Sequence, residues 1–216
     1  MLVFSSIAQD NTIGTIVYDT EATEGGYNLI YPHNQSTAYL LDMCGNVVKT
    51  WEHADSLRPA NVFYILENSD VMTTYRPADF SGDAIWAGGG GASIERRTWD
   101  NEPIWSFTRN DSAYRLHHDI QPMANGNVLV TAWEQRDSLE CIEAGRDSLN
   151  LTGAGMWSEV VWVISPGADG VGEVVWEWAV WDHLVQDIDS TKSNFGVVAD
   201  NIDKIDINFG MALNAA

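Results

Sequence analysis

Apolar and polar residues alternate along most of this chain in short runs, and each run ends at a turn rich in glycine, asparagine or aspartate. Residues 39–51 show the pattern in full, with one strand before the turn at 42–46 and a second strand that ends at Trp51. Alternation with a period of two between such turns predicts β-hairpins. The same arrangement recurs at 93–107 and at 161–178.

Hairpins of a second kind lie between these three, at 62–75 and at 116–130. The later one turns at Asn-Gly, which is a strong hairpin signal. Inner and outer hairpins in alternation predict propeller blades, because each blade is a sheet of four antiparallel strands. The spacing of Trp51, Trp105 and Trp176, with the second interval longer than the first, is typical of long blades with one insertion.

One stretch, 133–150, breaks the strand pattern and predicts a short helix, because its apolar and small residues follow near-helical spacing as far as Gly145. The predicted fold class is therefore all-β, a partial β-propeller of about two and a half four-stranded blades with one short helical insertion. A closed propeller needs at least about four blades. We therefore expect residues 9–216 to be an incomplete propeller domain, completed by the remaining blades of the same polypeptide.

The charge of the chain excludes several kinds of partner. Its 31 acidic and 11 basic residues give a net charge of −20, which repels nucleic acid and anionic membrane surfaces. No run approaches the roughly 20 apolar residues of a membrane span. Residues 1–8 resemble the last part of a secretory signal, with a Ser-x-Ala cleavage pattern, and so predict a signal remnant and a secreted or periplasmic location.

Neither a metal site nor a cofactor is predicted. Cys44 and Cys141 are too few for a zinc site, and they either bridge or remain two ordinary buried thiols. The acidic stretch 187–206 is interpreted as a solvated loop, because Lys192 stands where a calcium loop needs glycine.

The candidate chemistry is concentrated where the hairpin at 116–130 begins. His117, His118 and Asp119 follow one another there. Because side chains alternate across a strand, we expect the two histidines to point to opposite faces, so that at most one enters a shared pocket. Asp119 is placed to fix the tautomer of its neighbour. The alternative is an ordinary pair at a strand start, with one histidine solvated and the other hydrogen-bonded.

Five segments, in this order along the chain, resemble the arylsulfotransferase family of bacterial secreted six-bladed propellers. They are Gly-Tyr-Asn-Leu-Ile-Tyr-Pro-His at 26–33, Tyr-Leu-Leu-Asp with a glycine at 39–45, Trp-Ala-Gly-Gly-Gly-Gly at 86–91, the segment 116–130, and 175–184. The resemblance covers nearly the whole chain. It implies transfer of a sulfuryl group from a phenolic sulfate ester to a phenol acceptor through a sulfated histidine, without a nucleotide sulfate donor.

The resemblance also implies site residues. It places His117 and His118, and with a weaker match His183, in the funnel on the propeller axis as supporting catalytic residues. The family's nucleophilic histidine lies downstream of the matched segments, so none of these three is the expected nucleophile, and the chain is expected to be a fragment that is inactive alone. Arg115 and Arg76 are the nearest candidates to bind an anionic ester, and surface ion pairing is the alternative for each.

Two classes of function follow. The first is an aryl-sulfate sulfotransferase whose ligands are a small aryl sulfate and a phenol. The second is a non-catalytic secreted propeller that binds a ligand or a protein through its channel, since a shared fold does not establish an activity.

Overall fold

The computed structural model describes residues 15, 17–79, 81, 85, 88–151 and 153–210. Residues 1–8, with the predicted signal remnant, lie outside this range. The described residues are mostly β-strand and form three main antiparallel sheets, which follow one another along the chain. They also include one short α-helix. The prediction of a partial, propeller-like all-β fold is confirmed.

We call the three sheets A, B and C, and in each of them a strand pairs with the next strand in sequence. Sheet A consists of β1 (Tyr27–Ile30), β2 (Thr37–Asp42) and β3 (Val47–Glu52). Sheet B consists of β4 (Leu57–Ile65), β5 (Val71–Pro77), β6 (Ser93–Arg97) and β7 (Pro103–Thr108). Sheet C consists of β8 (Tyr114–Pro122), β9 (Val128–Arg136), β10 (Met156–Pro166) and β11 (Gly172–Ala179). Two short strands, β12 (Leu184–Val185) and β13 (Ile205–Asp206), pair in parallel after sheet C.

Sheets B and C repeat each other with a constant offset along the chain. The interval from the start of β4 to the start of β8 equals the interval from the start of β5 to the start of β9. The turns between these strands have the same geometry, with Ser69 and Gly126 in the left-handed region at φ 70° and 87°. In each turn that residue donates its N–H to the carbonyl three positions earlier. The inner hairpins are therefore equivalent parts of successive blades.

The outer hairpins are equivalent too, because each contains a β-bulge at the same point of its ladder. Alignment of the three hairpins on their bulges gives two sets of equivalent positions. The first set is Lys49, Trp105 and Trp176. The second set lies two residues further along each strand and is Trp51, Phe107 and Trp178. The sequence pattern had grouped Trp51 with Trp105 and Trp176. That grouping was wrong by two residues, because hairpin ends alone do not reveal which strand residues lie opposite each other.

The hydrophobic core lies between the sheets. Trp51 is buried between sheets A and B, and its ring contacts Phe63 with centroids 5.2 Å apart. Trp162 is buried between sheets B and C, where its ring contacts Phe107 at 6.3 Å and Tyr114 at 5.2 Å. Aromatic residues therefore contribute a large part of the apolar area at both interfaces.

The predicted helical insertion is confirmed as α1 (Ser138–Glu143), between β9 and β10. Asp137 caps it, accepting from the N–H of Glu140, while the Glu140 carboxylate accepts from the N–H of Asp137. Both cysteines are free thiols, with Cys141 buried and Cys44 exposed, so the disulfide alternative does not hold. Within the described residues, no helix is long and apolar enough to cross a membrane.

His53 is a titratable group at the interface between sheets A and B. Its Nδ1 lies 2.6 Å from the Tyr75 hydroxyl. Burial, with a smaller contribution from the charge of Arg97, lowers the pKa of His53 from 6.5 to about 4. The folded protein therefore resists protonation of His53 in a pH range where the unfolded chain accepts the proton.

We expect the free energy of unfolding to decrease as the pH falls from about 6.5 to about 4, because the unfolded state binds more protons in that window. Solvent screening of this partly exposed group reduces the expected loss to about 1–2 kcal/mol. Urea unfolding at several pH values measures it. The control is His53→Gln, which removes the titrating group and is expected to flatten the dependence. An equal loss in both proteins would show that His53 is not the cause.

Candidate functional site

A β-bulge in β8 brings the two histidines together. The register of β8 with β9 shifts between His117 and Ile120, which leaves His118 and Asp119 outside the regular pairing. His118 has φ 53°, in the left-handed region. As a result, the Nδ1 atoms of His117 and His118 lie 2.9 Å apart. The expectation that they point to opposite faces was wrong, because the bulge interrupts the alternation on which it rested.

Backbone and side-chain contacts hold the bulge in place. The Thr131 hydroxyl donates to the carbonyl of His117 at 2.9 Å, and the N–H of His118 donates to the carbonyl of Gly89 at 2.8 Å. The same Gly89 carbonyl accepts from the side-chain amide of Asn61 at 2.7 Å. Gly89 has φ 86°, and a Cβ there would lie only 2.4 Å from Nε2 of His118. The glycine is therefore needed for both its conformation and the space it leaves.

The neighbouring inner strand carries an equivalent bulge. The register of β4 with β5 shifts between Pro59 and Phe63. Thr74 occupies the position in β5 that Thr131 occupies in β9, and its hydroxyl accepts from the N–H groups of Asn61 and of the next residue, each at 3.1 Å. The bulges of β4 and β8 thus lie at equivalent positions. In sheet C the histidine pair occupies the position that Asn61 occupies in sheet B.

Glu159 is the carboxylate partner of the pair. Its Oε2 lies 2.6 Å from Nε2 of His117. The His117 ring stacks on Trp133, with centroids 4.4 Å apart and planes 13° apart, and its side chain is almost fully buried. Sequence reasoning missed Glu159, although it is the one charged residue of the 11 in β10. A lone carboxylate in an otherwise uncharged strand was the available signal.

These contacts form a chain of hydrogen-bonding groups, which we call the carboxylate–histidine chain: Glu159, His117 and His118. With Glu159 ionised, His117 donates from Nε2, and its Nδ1 then accepts from Nδ1–H of His118. His118 is left with a lone pair on Nε2, and its side chain belongs to an exposed residue. Glu159 therefore fixes the tautomer of His117, and His117 in turn fixes the tautomer of His118.

Asp119 does not have the role that the sequence suggested. Its Oδ1 accepts from the Tyr64 hydroxyl at 3.2 Å and from the N–H of Ile120 at 2.7 Å. Burial and the neighbouring Asp119 charge raise the pKa of Tyr64. The expectation that Asp119 fixes the tautomer of a neighbouring histidine was wrong, because Glu159 holds that position.

Three arginines lie at one end of the first hairpins of sheets B and C, with Arg58 and Arg115 near the starts of β4 and β8 and Arg76 near the end of β5. Arg58 and Arg76 are directly opposite each other in sheet B, and Arg115 is the equivalent of Arg58 in sheet C. Burial, followed by the positive charges of Arg58 and Arg115, lowers the pKa of Arg76. Arg115 is fully buried and donates to Oδ1 of Asn110 at 2.8 Å. It therefore presents no surface to a ligand in this structure, whereas Arg76 is partly exposed.

His183 lies apart from the pair. It ends a 3₁₀ turn, Val180–His183, and its ring stacks on Trp178 with centroids 4.9 Å apart. This turn follows β11, which forms the opposite edge of sheet C from β8. Three strand spacings separate these edges by about 14 Å. The structure therefore does not bring His183 to the carboxylate–histidine chain.

The cavity beside the pair is small. It has a volume of about 10 Å³, lies between β4 and β8, and includes His117, His118 and Thr131 in its lining. That volume is close to what one water molecule needs. A larger groove of about 510 Å³ between sheets A and B has no lining residue in common with it. A ligand of the pair would therefore contact the exposed side of His118 rather than enter the cavity.

Among the residues that the structure describes, no group of three or more histidine, cysteine or acidic side chains is arranged to hold a metal ion.

No family model matches the chain. No curated protein matches it either. Among solved structures, it is similar to a protein of unknown function from Bacteroides caccae, with 10% sequence identity and a TM-score of 0.34 over 71% of this chain. The match spans 57% of the length of that protein.

Proposed function

We propose that this chain takes part in sulfuryl transfer from a phenolic sulfate ester to a phenol acceptor. The observation that carries the proposal is the carboxylate–histidine chain, with contacts of 2.6 Å and 2.9 Å that end at the exposed His118. Sulfuryl transfer resembles phosphoryl transfer, with a loose in-line transition state and charge on the equatorial oxygens. It needs a nucleophile, an acid for the leaving phenolate and cationic groups.

In this proposal His118 acts as a general acid and is not the nucleophile. Its protonated ring donates to the oxygen of the leaving phenolate, and His117 with Glu159 stabilises the charged form. Arg76, with the positive charges of its two neighbours, attracts the sulfate group against the net charge of −20. A secreted or periplasmic location belongs to the proposal and rests on residues 1–8 alone.

The test is an assay of the natural polypeptide that contains this chain, with 4-nitrophenyl sulfate as donor and phenol as acceptor. We expect nitrophenolate release that depends on phenol, together with phenyl sulfate as a product identified by mass spectrometry. A reaction without the acceptor is the control for hydrolysis. Failure to turn over or bind the ester would overturn the proposal.

A second candidate is a propeller that binds a ligand without converting it. The observation that favours it is the small space at the pair, about 10 Å³, together with the complete burial of Arg115. Calorimetric binding of an aryl sulfate without turnover in the same assay would support this candidate over the first.

A further inference from the structure

His118 has a backbone conformation that its neighbours must impose. Among the described residues that are not glycine, three have φ in the left-handed region: Ser69, Asn101 and His118. Ser69 and Asn101 occupy hairpin turns, which use this conformation, whereas His118 lies within β8. A non-glycine residue keeps a left-handed conformation only where surrounding contacts offset its cost. The contacts of His118 therefore decide where its ring lies.

The equivalent bulge in sheet B is held within its own sheet, whereas the bulge in sheet C is not. In sheet B the N–H of Asn61 donates to the Thr74 hydroxyl at 3.1 Å. In sheet C the equivalent hydroxyl, that of Thr131, instead donates to a backbone carbonyl of β8. The N–H of His118 donates to the carbonyl of Gly89, which lies in the connection between β5 and β6. Sheet B therefore supplies the acceptor that holds His118.

The segment that contains Gly89 pairs with the edge of β8. Gly90 lies opposite His117 in an antiparallel bridge, and the next N–H donates to a carbonyl of β8 at 2.7 Å. A Cβ at Gly89 would overlap the His118 ring, so the ring packs directly against this backbone. Gly89 thus contacts both the main chain and the side chain of His118.

Asn61 fixes the orientation of the Gly89 carbonyl. Its side-chain amide donates to the oxygen of Gly89 at 2.7 Å, and the N–H of His118 donates to the same oxygen at 2.8 Å. A carbonyl oxygen has two lone pairs, so these two hydrogen bonds satisfy it and fix the plane of the peptide. Asn61 is half-buried in the bulge of β4. Its effect on the histidine pair therefore passes through Gly89.

We propose that Asn61 is a positioning residue for His118. Its amide fixes the Gly89 carbonyl. The carbonyl holds the left-handed backbone that brings Nδ1 of His118 within 2.9 Å of Nδ1 of His117. The site is thus assembled across two blades, with the histidines on sheet C and their positioning group on sheet B. This inference deepens the proposed sulfuryl transfer, and only its kinetic consequence rests on that function.

Loss of the amide releases His118 from its imposed conformation. Asn61→Ala leaves the Gly89 carbonyl with one of these two donors. The exposed His118 then relaxes to an ordinary φ, and its ring moves away from His117. The tautomer of His118 depends on its contact with His117, whereas Glu159 fixes the tautomer of His117 from the other side. The two rings therefore respond differently to the substitution.

Nitrogen-15 NMR of the natural polypeptide, labelled in histidine, tests the proposal at about pH 9, where histidine rings are neutral. The signals of the pair are assigned with His117→Gln and His118→Gln. In the unaltered protein we expect His118 to carry its proton on Nδ1 and His117 to carry it on Nε2. In Asn61→Ala we expect a mixture of tautomers at His118 and no change at His117. Asn68→Ala is the matched control and is expected to change neither signal, because this exposed amide donates to Asp70 in the turn of the same hairpin.

Asn61→Asp keeps the size of the side chain and removes the donor, so it is expected to reproduce the result of Asn61→Ala without opening a cavity. Circular dichroism and thermal unfolding verify that each variant folds. An unchanged His118 tautomer in both variants, or mixed tautomers at His118 in the unaltered protein, would overturn the proposal. A change at His117 as large as that at His118 would overturn it too, because it would show a general disturbance of sheet C.

The kinetic consequence separates positioning from a structural role. In the assay with 4-nitrophenyl sulfate we expect Asn61→Ala to lower kcat by about tenfold with little change in KM. In the His118→Ala background the same substitution is expected to have no further effect, because a positioning residue acts only through the group it positions. Equal effects in both backgrounds would contradict positioning. If the unaltered protein does not turn over the ester, the proposed function fails, and the NMR result still decides the role of Asn61.

Discussion

Replacing His118 by Ala in the natural polypeptide is expected to lower kcat for an aryl sulfate donor by about 10²-fold or more, because the variant lacks the proposed proton donor to the leaving phenolate. His117→Ala is expected to have a similar effect. Both side chains belong to one carboxylate–histidine chain, with their Nδ1 atoms 2.9 Å apart. Steady-state nitrophenolate release measures both variants.

Glu159→Gln tests the carboxylate–histidine chain at the end opposite His118, because the substitution keeps the size of the side chain and removes its charge. We expect kcat to fall by about tenfold with little change in KM, since in the proposed reaction the carboxylate acts in the transition state through His117. Glu173→Gln is the matched control, an exposed glutamate on β11. Full activity of both histidine variants, with unchanged thermal stability, would remove the pair from the mechanism and favour the ligand-binding propeller.

Trp162→Ala is expected to lower the free energy of unfolding by about 3–5 kcal/mol, because it opens a cavity between sheets B and C. The substitution removes the ring contacts with Phe107 and Tyr114 and leaves Glu177 without its indole donor at 2.6 Å. Urea unfolding followed by circular dichroism measures the loss. Leu149→Ala is the control, since Leu149 is 90% exposed and its replacement is expected to change stability by less than about 0.5 kcal/mol. Equal losses in both variants would contradict the assigned core.

The sequence allowed the hairpins and the helical insertion to be predicted because local interactions determine them. In the β2–β3, β6–β7 and β10–β11 turns, a residue in the left-handed region donates its N–H to the carbonyl three positions earlier. These residues are Gly45, Asn101 and Gly170. Glycine and asparagine adopt that conformation at low cost, so the turns are visible in the sequence. The helix start at Asp137 is determined in the same way, by hydrogen bonds between residues three apart.

The candidate site was only half predictable. The histidine pair was found from the sequence, but its geometry depends on Gly89 and Thr131, which are distant in sequence and hold the bulge of β8. Glu159 lies 42 residues after His117 and reaches it only because β8, β9 and β10 pair in one register. A shift of that register by one residue would turn Glu159 to the other face of the sheet. Residue types and turns were therefore determined by the sequence alone, whereas the tertiary structure decided which carboxylate meets the histidines, because strand pairing across tens of residues sets that contact.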